Sequence, residues 1–263
     1  MEAFAFSRPA AVADAARSVA AADSKFVAGG QSLLGAMKLG LAAPSALVDL
    51  GGIAELRGIT VAGGTVTIGA MTTHAAVAAS KEVAAAIPAL AALAGNIGDR
   101  QVRNRGTIGG SLANNDPAAC YPAAVLGLGA TIHTDKRTIA ADDFFKGLYE
   151  TALADGELIT KVSFPVPKKA AWQKFKQPAS RFSIVGVFVS QGAGGVRVAV
   201  TGAGAGVMRA KDIEAALTAS WTPAAAAGVK VSSAGLNSDL HGSAEYRAAL
   251  IPVLAGRAVA AAG

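Results

Sequence analysis

The chain has 263 residues, a formal net charge of +6, 52% hydrophobic residues, 5% aromatics and 16% charged residues. Such a length holds one large domain or two to three small lobes. Much of the apolar fraction is alanine, and no run of about eighteen strongly apolar residues is free of a charge, glycine or proline, so no membrane-spanning helix is expected. The basic residues are scattered and are not interleaved with stacking aromatics. That pattern disfavours a nucleic-acid groove and suits an anionic cofactor or an acidic partner. Residues 1–9 lack the basic and apolar regions of a secretory signal, and the single cysteine, Cys120, has no second ligand for a disulfide or a metal motif. A reducing cytoplasm is the expected compartment. His74, His133 and His241 show no metal-ligand spacing and read as structural or solvent-facing.

In chain order, residues 10–23 read as an alanine-rich amphipathic helix entered from Arg8 and Pro9. A strand over 25–28 delivers a first glycine-rich turn, Ala28-Gly29-Gly30-Gln31-Ser32-Leu33. A short helix over 31–39 and a buried strand over 46–50 follow. Residues 59–61 and 65–68 flank Gly63 and Gly64 as a hairpin. Thr72 and Thr73 can cap a helix through Ala79, and Ser80 can cap another over 81–94. A second glycine-rich turn follows, Thr107-Ile108-Gly109-Gly110-Ser111. Asp116 and Pro117 open a helix toward Leu128, with Asp116 suited to the cap and the proline placed where its missing N–H is harmless. Strands over 130–134, 137–140 and 157–164 lead to the break at Pro165 and Pro167. Beyond it, strands over 173–176, 183–190 and 195–200 predict a three-stranded antiparallel sheet, with helices over 208–219, 222–235 and 243–261. The breaks predict lobes over 1–57, 58–167 and 168–263.

The two glycine-rich segments carry the most chemistry. Glycine lets the main chain approach a ligand closely and adopts positive φ, so successive N–H groups can cradle a phosphate. Hydroxyls at Ser32, Thr107 and Ser111 can add donors. Neither segment is a standard dinucleotide fingerprint, and no nucleophile and base occur together in a hydrolytic motif.

Several stretches resemble one family in the same order along essentially the whole chain. They are Ala28-Gly29-Gly30-Gln31-Ser32-Leu33-Leu34 with Met37-Lys38, Leu47-Val48-Asp49-Leu50, and Arg103-Asn104-Arg105-Gly106-Thr107-Ile108-Gly109-Gly110-Ser111-Leu112-Ala113 with Asp116-Pro117. Glu157-Leu158-Ile159-Thr160, Phe175-Lys176-Gln177 and the segment from Asp239 to Arg247 match as well. Together they resemble the medium, FAD-binding subunits of the carbon monoxide dehydrogenase, aldehyde oxidase and xanthine dehydrogenase group. The resemblance implies an α+β, two-lobed FAD fold of non-Rossmann type, similar to the enolpyruvoyl-glucosamine reductase and vanillyl-alcohol oxidase class, with a C-terminal α+β lobe.

It further implies that Ala28, Gly29, Gly30, Gln31, Ser32 and Leu33 with Thr107, Ile108, Gly109, Gly110 and Ser111 surround the FAD diphosphate and ribityl region. Asn114 and Asp116 then lie near the same face, and Ile159, Lys176 and Phe182 near the isoalloxazine. Cys120 stands where the family often has an acidic residue, and Phe182 where it often has tyrosine, so each replaces a strong polar partner by a weak one or none. The implied function is electron transfer. A small subunit with [2Fe–2S] clusters would receive electrons from a large molybdenum-cofactor subunit and pass them to FAD on this chain, the whole forming a dimer of heterotrimers. Two other readings use the same residues: a self-sufficient FAD-dependent reductase of the enolpyruvoyl-glucosamine reductase type, and an assembly subunit without flavin.

Overall fold

The computed structural model describes residues 2–19 and 23–263. In the N-terminal part, strands β1 (Ala5–Ser7), β2 (Ser24–Val27) and β3 (Ala46–Asp49) form a parallel sheet in the order β1-β3-β2. Parallel neighbours need crossover connections, and helices α1 (Val12–Ser18) and α2 (Leu33–Lys38) lie in them. All three residues of β1 are exposed, so the strand has no alternation of burial and is missed in the sequence. Helix α1 is shorter than the expected span of 10–23, of which residues 20–22 lie outside the described residues.

The hairpin of β4 (Ile59–Ala62) and β5 (Thr65–Gly69) forms where expected. Helix α3 (His74–Ala79) is capped by Thr73, whose hydroxyl accepts from Ala76 N at 3.2 Å. Ser80 caps α4 (Lys81–Ala86) in the same way at Val83 N, 3.1 Å away. The single helix expected over 81–94 breaks at Ile87, because Pro88 brings no N–H and takes the first position of α5 (Pro88–Gly95) instead. Helices α6 (Arg100–Arg105), α7 (Ile108–Asn114) and α8 (Tyr121–Leu128) follow.

Asp116 and Pro117 do not open α8. The Asp116 carboxylate accepts from Ala118 N at 2.8 Å, closing a local turn that Thr201 anchors, its single hydroxyl proton shared between the carbonyls of Pro117 and Ala119, each 2.8 Å away. Cys120 takes the cap position and Pro122 enters the first turn. All eight residues of α8 are buried, as a helix apolar on every side must be.

Strands β6 (Thr131–Thr134) and β7 (Thr138–Ala140), a one-turn helix α9 (Ala141–Phe144), the small hairpin β8 (Phe145–Gly147) and β9 (Glu150–Thr151), and β10 (Ile159–Pro165) complete the middle part. Its sheet is antiparallel in the order β4-β5-β10-β6-β7.

The third sheet joins β11 (Lys169–Lys176), β12 (Ser183–Gly192), β13 (Gly195–Thr201) and β14 (Met208–Arg209). It has four strands rather than the expected three, because Met208 and Arg209 pair with β13 and the helix expected from 208 begins only at α10 (Lys211–Ala219). The helix expected over 222–235 is confined to α11 (Pro223–Ala227). Helix α12 (Ala244–Ala262) matches its expected span and is capped by Ser243. The largest hydrophobic cluster draws Trp172, Phe188 and Ala199 from the third sheet into the core around α5, α8 and the second sheet. No helix of the described residues is long and apolar enough to cross a membrane.

Glu157 ties the end of the β6–β7 hairpin to the approach to β10. Its carboxylate accepts from Arg137 Nε and Nη2, each at 2.9 Å, from Thr134 Oγ1 at 2.8 Å and from Ala154 N at 2.8 Å. The Arg137 hydrogen bonds in the first place, with those from Ala154 and Thr134, hold its carboxyl at about 2, well below its ordinary 4.5. A carboxyl depressed on folding contributes stability above its unfolded pKa and loses it as pH falls through the folded one. The pH window is therefore about 4.5 down to about 2. Glu157→Gln is expected to cost about 2 kcal/mol at neutral pH and to flatten the stability profile across that window. Urea melts of both proteins along a pH series check this.

Candidate functional site

Two chain segments meet by main-chain contact. After β2 the chain turns through Ala28, Gly29 and Gly30, and Gly30 adopts φ +73°, a left-handed conformation that favours glycine. A Cβ on Gly29 would lie inside contact distance of the Arg105 carbonyl, 2.7 Å from its carbon and 2.8 Å from Gly106 Cα. One on Gly110 would lie 3.0 Å from Thr107 Oγ1 and 3.3 Å from Ala28 Cβ, and one on Gly109 would lie 2.6 Å from Ala70 Cβ. The glycines therefore answer first to neighbouring chain, and only the space left over is open to a ligand.

The second segment is not a turn. Thr107 is the N-cap of α7, with Ile108, Gly109, Gly110 and Ser111 forming its first turn. Its N–H groups are occupied: Ile108 donates to Thr72 O (3.1 Å), Gly109 to Ala70 O (2.8 Å), Gly110 to Thr107 Oγ1 (3.2 Å) and Ser111 to Thr107 O (3.0 Å). Ile108 and Gly109 are buried, leaving Gly110 and Ser111 half-exposed.

The first segment is the reverse case. Among the described residues, no protein acceptor lies on the main-chain N–H of Gly29, Gly30, Gln31, Ser32 or Leu33. The Gln31 side chain instead donates back to Gly29 O at 3.2 Å. Five consecutive N–H donors, one of them on the left-handed Gly30, are thus left free to meet an anion.

Helix α7 leads from this junction to a cavity of about 320 Å³ whose wall includes Asp116, Phe182, Ser183, Ile184, His241 and Arg247. Arg247 is 3% exposed and braces that wall. It donates to the carbonyls of Ile184 (2.8 Å), Gly202 (2.9 Å) and Gly242 (3.3 Å), and to both Asp239 oxygens (2.7 and 2.8 Å). Asn115, at φ +44°, is buried between α7 and the β8–β9 hairpin, donating to Gly147 O and Glu150 O at 2.9 and 2.8 Å. Tyr149, at that hairpin's tip, reaches Asp116 Oδ2 at 3.5 Å. Burial, and then the Asp116 charge, push its phenol above the usual range.

Asp116 and Phe182 thus share the cavity wall, while Ala28 comes against Gly110 and Gly29 against the Arg105–Gly106 backbone. Asn114 ends α7 between the two places and is half-buried. Cys120 is buried behind Ser183, its Sγ 3.8 Å from the serine hydroxyl. The Ile159 side chain is packed in the core rather than lining the cavity. Lys176 is exposed at the end of β11, and the lysine that turns inward is Lys174, whose Nζ lies 3.3 Å from Cys120 Sγ and 3.1 Å from Asn96 O. Sequence reasoning missed Lys174, although residues 174 and 176 share the period-2 face of one strand and so belonged to the same expectation. It also missed the acceptors Ala70 and Thr72, which the turn reading left no reason to seek. His74, buried beside Gly106, is pulled down to about 4 by burial and then by Arg103, so its imidazole is neutral at neutral pH.

Residues 2–167 match the family described as FAD binding domain in molybdopterin dehydrogenase. The chain is 38% identical, over an alignment of 275 positions, to the nicotine 6-hydroxylase medium subunit of Paenarthrobacter nicotinovorans, covering 98% of this chain and 96% of that one. It is 34% identical over 256 residues to the carbon monoxide dehydrogenase medium chain of Hydrogenophaga pseudoflava, covering 91% and 89%. Among solved structures, it is similar to the carbon monoxide dehydrogenase of Hydrogenophaga pseudoflava that lacks the Mo-pyranopterin moiety of the molybdenum cofactor, with a TM-score of 0.89, 36% identity and coverage of 99% and 97%. It is similar also to quinoline 2-oxidoreductase from Pseudomonas putida 86, with a TM-score of 0.89, 30% identity and coverage of 99% and 97%.

The junction has a direct test. Gly29→Ala drives a methyl into the Arg105 carbonyl and is expected to cost about 3 kcal/mol. Gly35→Ala, in α2 with nothing within 4 Å of the added methyl, should be neutral or stabilise by up to about 1 kcal/mol. Chemical denaturation of the two variants beside the wild type reads both.

Proposed function

The chain belongs to the family of FAD-binding medium subunits of molybdenum hydroxylases, and on that premise we propose how its residues divide the work around the flavin. It is an oxidoreductase subunit of a heteromeric complex, partnered by a small subunit with [2Fe–2S] clusters and a large subunit with the molybdenum cofactor. We read the fold more finely as the non-Rossmann, two-lobed FAD type over 1–57 and 58–167 with a C-terminal lobe over 168–263, and the assembly as a cytoplasmic dimer of heterotrimers.

The observation that carries the site reading is the row of open N–H groups on residues 29–33. They fit a diphosphate: fixed dipoles, no side chain in the way at Gly29 and Gly30, and a hydroxyl from Ser32 on the same turn. Thr107 and Gly110 shape the opposite wall, and Ser111 adds a hydroxyl there. Helix α7 rises about 10 Å over its seven residues, which separates the diphosphate seat from the Asp116 and Phe182 cavity by a distance suited to a two-ended cofactor. When bound, FAD supplies a two-electron store that can be filled and emptied one electron at a time.

The protein's part is to position and to tune. Phe182 offers a ring and no hydroxyl at the cavity rim. Lys174 brings a positive charge beside Cys120, and Lys176 lies two residues further along the same strand. Ile159 supports the site from the core beneath. Asp116, held by Ala118 N, keeps a carboxylate at the cavity edge and Asn114 keeps an amide near it.

Purification of the intact complex with release and identification of its cofactor tests this reading. FAD is expected on the wild type. Gly30→Val, which places a branched side chain on a left-handed backbone inside the donor row, should lower FAD affinity at least about a hundredfold while iron stays bound to the partner. A Gly30→Val complex with full FAD content would remove the assignment of the row.

A further inference from the structure

Gly106 is a glycine for a reason outside its own backbone. Its φ of −59° and ψ of 141° are open to any residue. A Cβ there, however, would fall 2.5 Å from Nε2 and 2.8 Å from Cδ2 of His74. His74 is 5% exposed, and its main-chain N–H donates to Gly106 O at 3.0 Å. On another side its ring packs on Tyr121, with centroids 5.3 Å apart and planes tilted by 50°. Tyr121 is itself fully buried on α8, in the main core. The imidazole is thus a spacer between α8 and the Gly106 backbone.

Hydrogen bonds do not hold that ring in place: among the described residues, His74 Nδ1 and Tyr121 Oη have no partner. Shape holds it, and shape is what it transmits. One residue before Gly106, the Arg105 carbonyl is pressed against Gly29, the first residue of the open N–H row. We propose that His74 is a positioning residue for FAD, its ring setting how far Arg105 and Gly106 stand off the core and hence where residues 29–33 present their donors. This rests on the reading that the row holds the FAD diphosphate. A smaller residue at 74 lets the segment sink, and any side chain at 106 pushes it outward, so the two positions are coupled by volume.

The test is a double-mutant cycle in the intact complex, reading FAD dissociation constants and thermal stability for His74→Ala, Gly106→Ala, the double variant and Gly30→Val. Gly106→Ala should weaken FAD binding about thirtyfold and His74→Ala about fivefold, while the double variant should bind about fivefold more tightly than Gly106→Ala alone. The double variant should recover affinity without recovering melting temperature, a split that a purely structural role would not produce. A double variant binding no more tightly than Gly106→Ala, or single variants binding as the wild type does, overturns the proposal. Should His74→Ala fail to fold, His74→Ser with Gly106→Ala gives the same comparison. If Gly30→Val loses FAD and the pair shows no coupling, this proposal alone is wrong; if Gly30→Val also keeps FAD, the reading of the row has failed beneath it.

Discussion

The packing of Gly29 on the carbonyl of Arg105, backbone against backbone, is the constraint on which the rest of the site depends. No side chain separates the two strands of chain, so the distance between them is set by main-chain van der Waals contact and by what lies behind each. Behind Gly29 is β2, fixed by its pairing with β3. Behind Arg105 and Gly106 lie His74 and then α8. A close-packed interior transmits such spacing because it has few voids in which to absorb a shift.

Around that contact the two glycine-rich segments have opposite electrostatic roles. At the start of α7 the N–H groups are taken by Thr72, Ala70 and the Thr107 cap, so that helix end is rigid and its donors are turned inward. The donors of residues 29–33 are open, and several of these residues reach solvent, so water meets them when no ligand does. Exchanging that water for a doubly charged diphosphate strengthens each bond, since charge-assisted hydrogen bonds are shorter and about twice as strong as neutral ones. In the function we propose, the main-chain donors of residues 29–33 supply the contact to the anion. Residues such as Arg103, Arg181 and Lys174 instead place their cationic groups on the carbonyls of residues 96–98.

Much of this was legible in the sequence where local physics decides. The β4–β5 hairpin follows from alternation around two glycines, α3 and α4 begin at the Thr73 and Ser80 caps, and α12 fills the span expected over 243–261. The motifs of the two glycine-rich segments lead to the expectation of one shared site. Their division of labour was not legible, because nothing in Thr107-Ile108-Gly109-Gly110-Ser111 says that Ala70 and Thr72 will supply acceptors from another part of the chain. Two glycines also argue against a helix by propensity, and tertiary contacts with Ala70 and Ala28 override that preference. Lys174 and Lys176 are indistinguishable in the sequence for a similar reason: regular alternation would put both on one face, whereas the strand pairing shifts register between Phe175 and Lys176 and Lys174 meets Cys120 and Asn96.

Hydrogen exchange on the intact complex, stripped of flavin and then reloaded with FAD, reports whether residues 29–33 hold the diphosphate. Amides of residues 29–33 are expected to exchange freely without FAD and to slow at least about tenfold with it, while those of residues 108–111 stay protected in both states. Unchanged exchange at residues 29–33 in a complex that has regained its FAD would contradict that assignment.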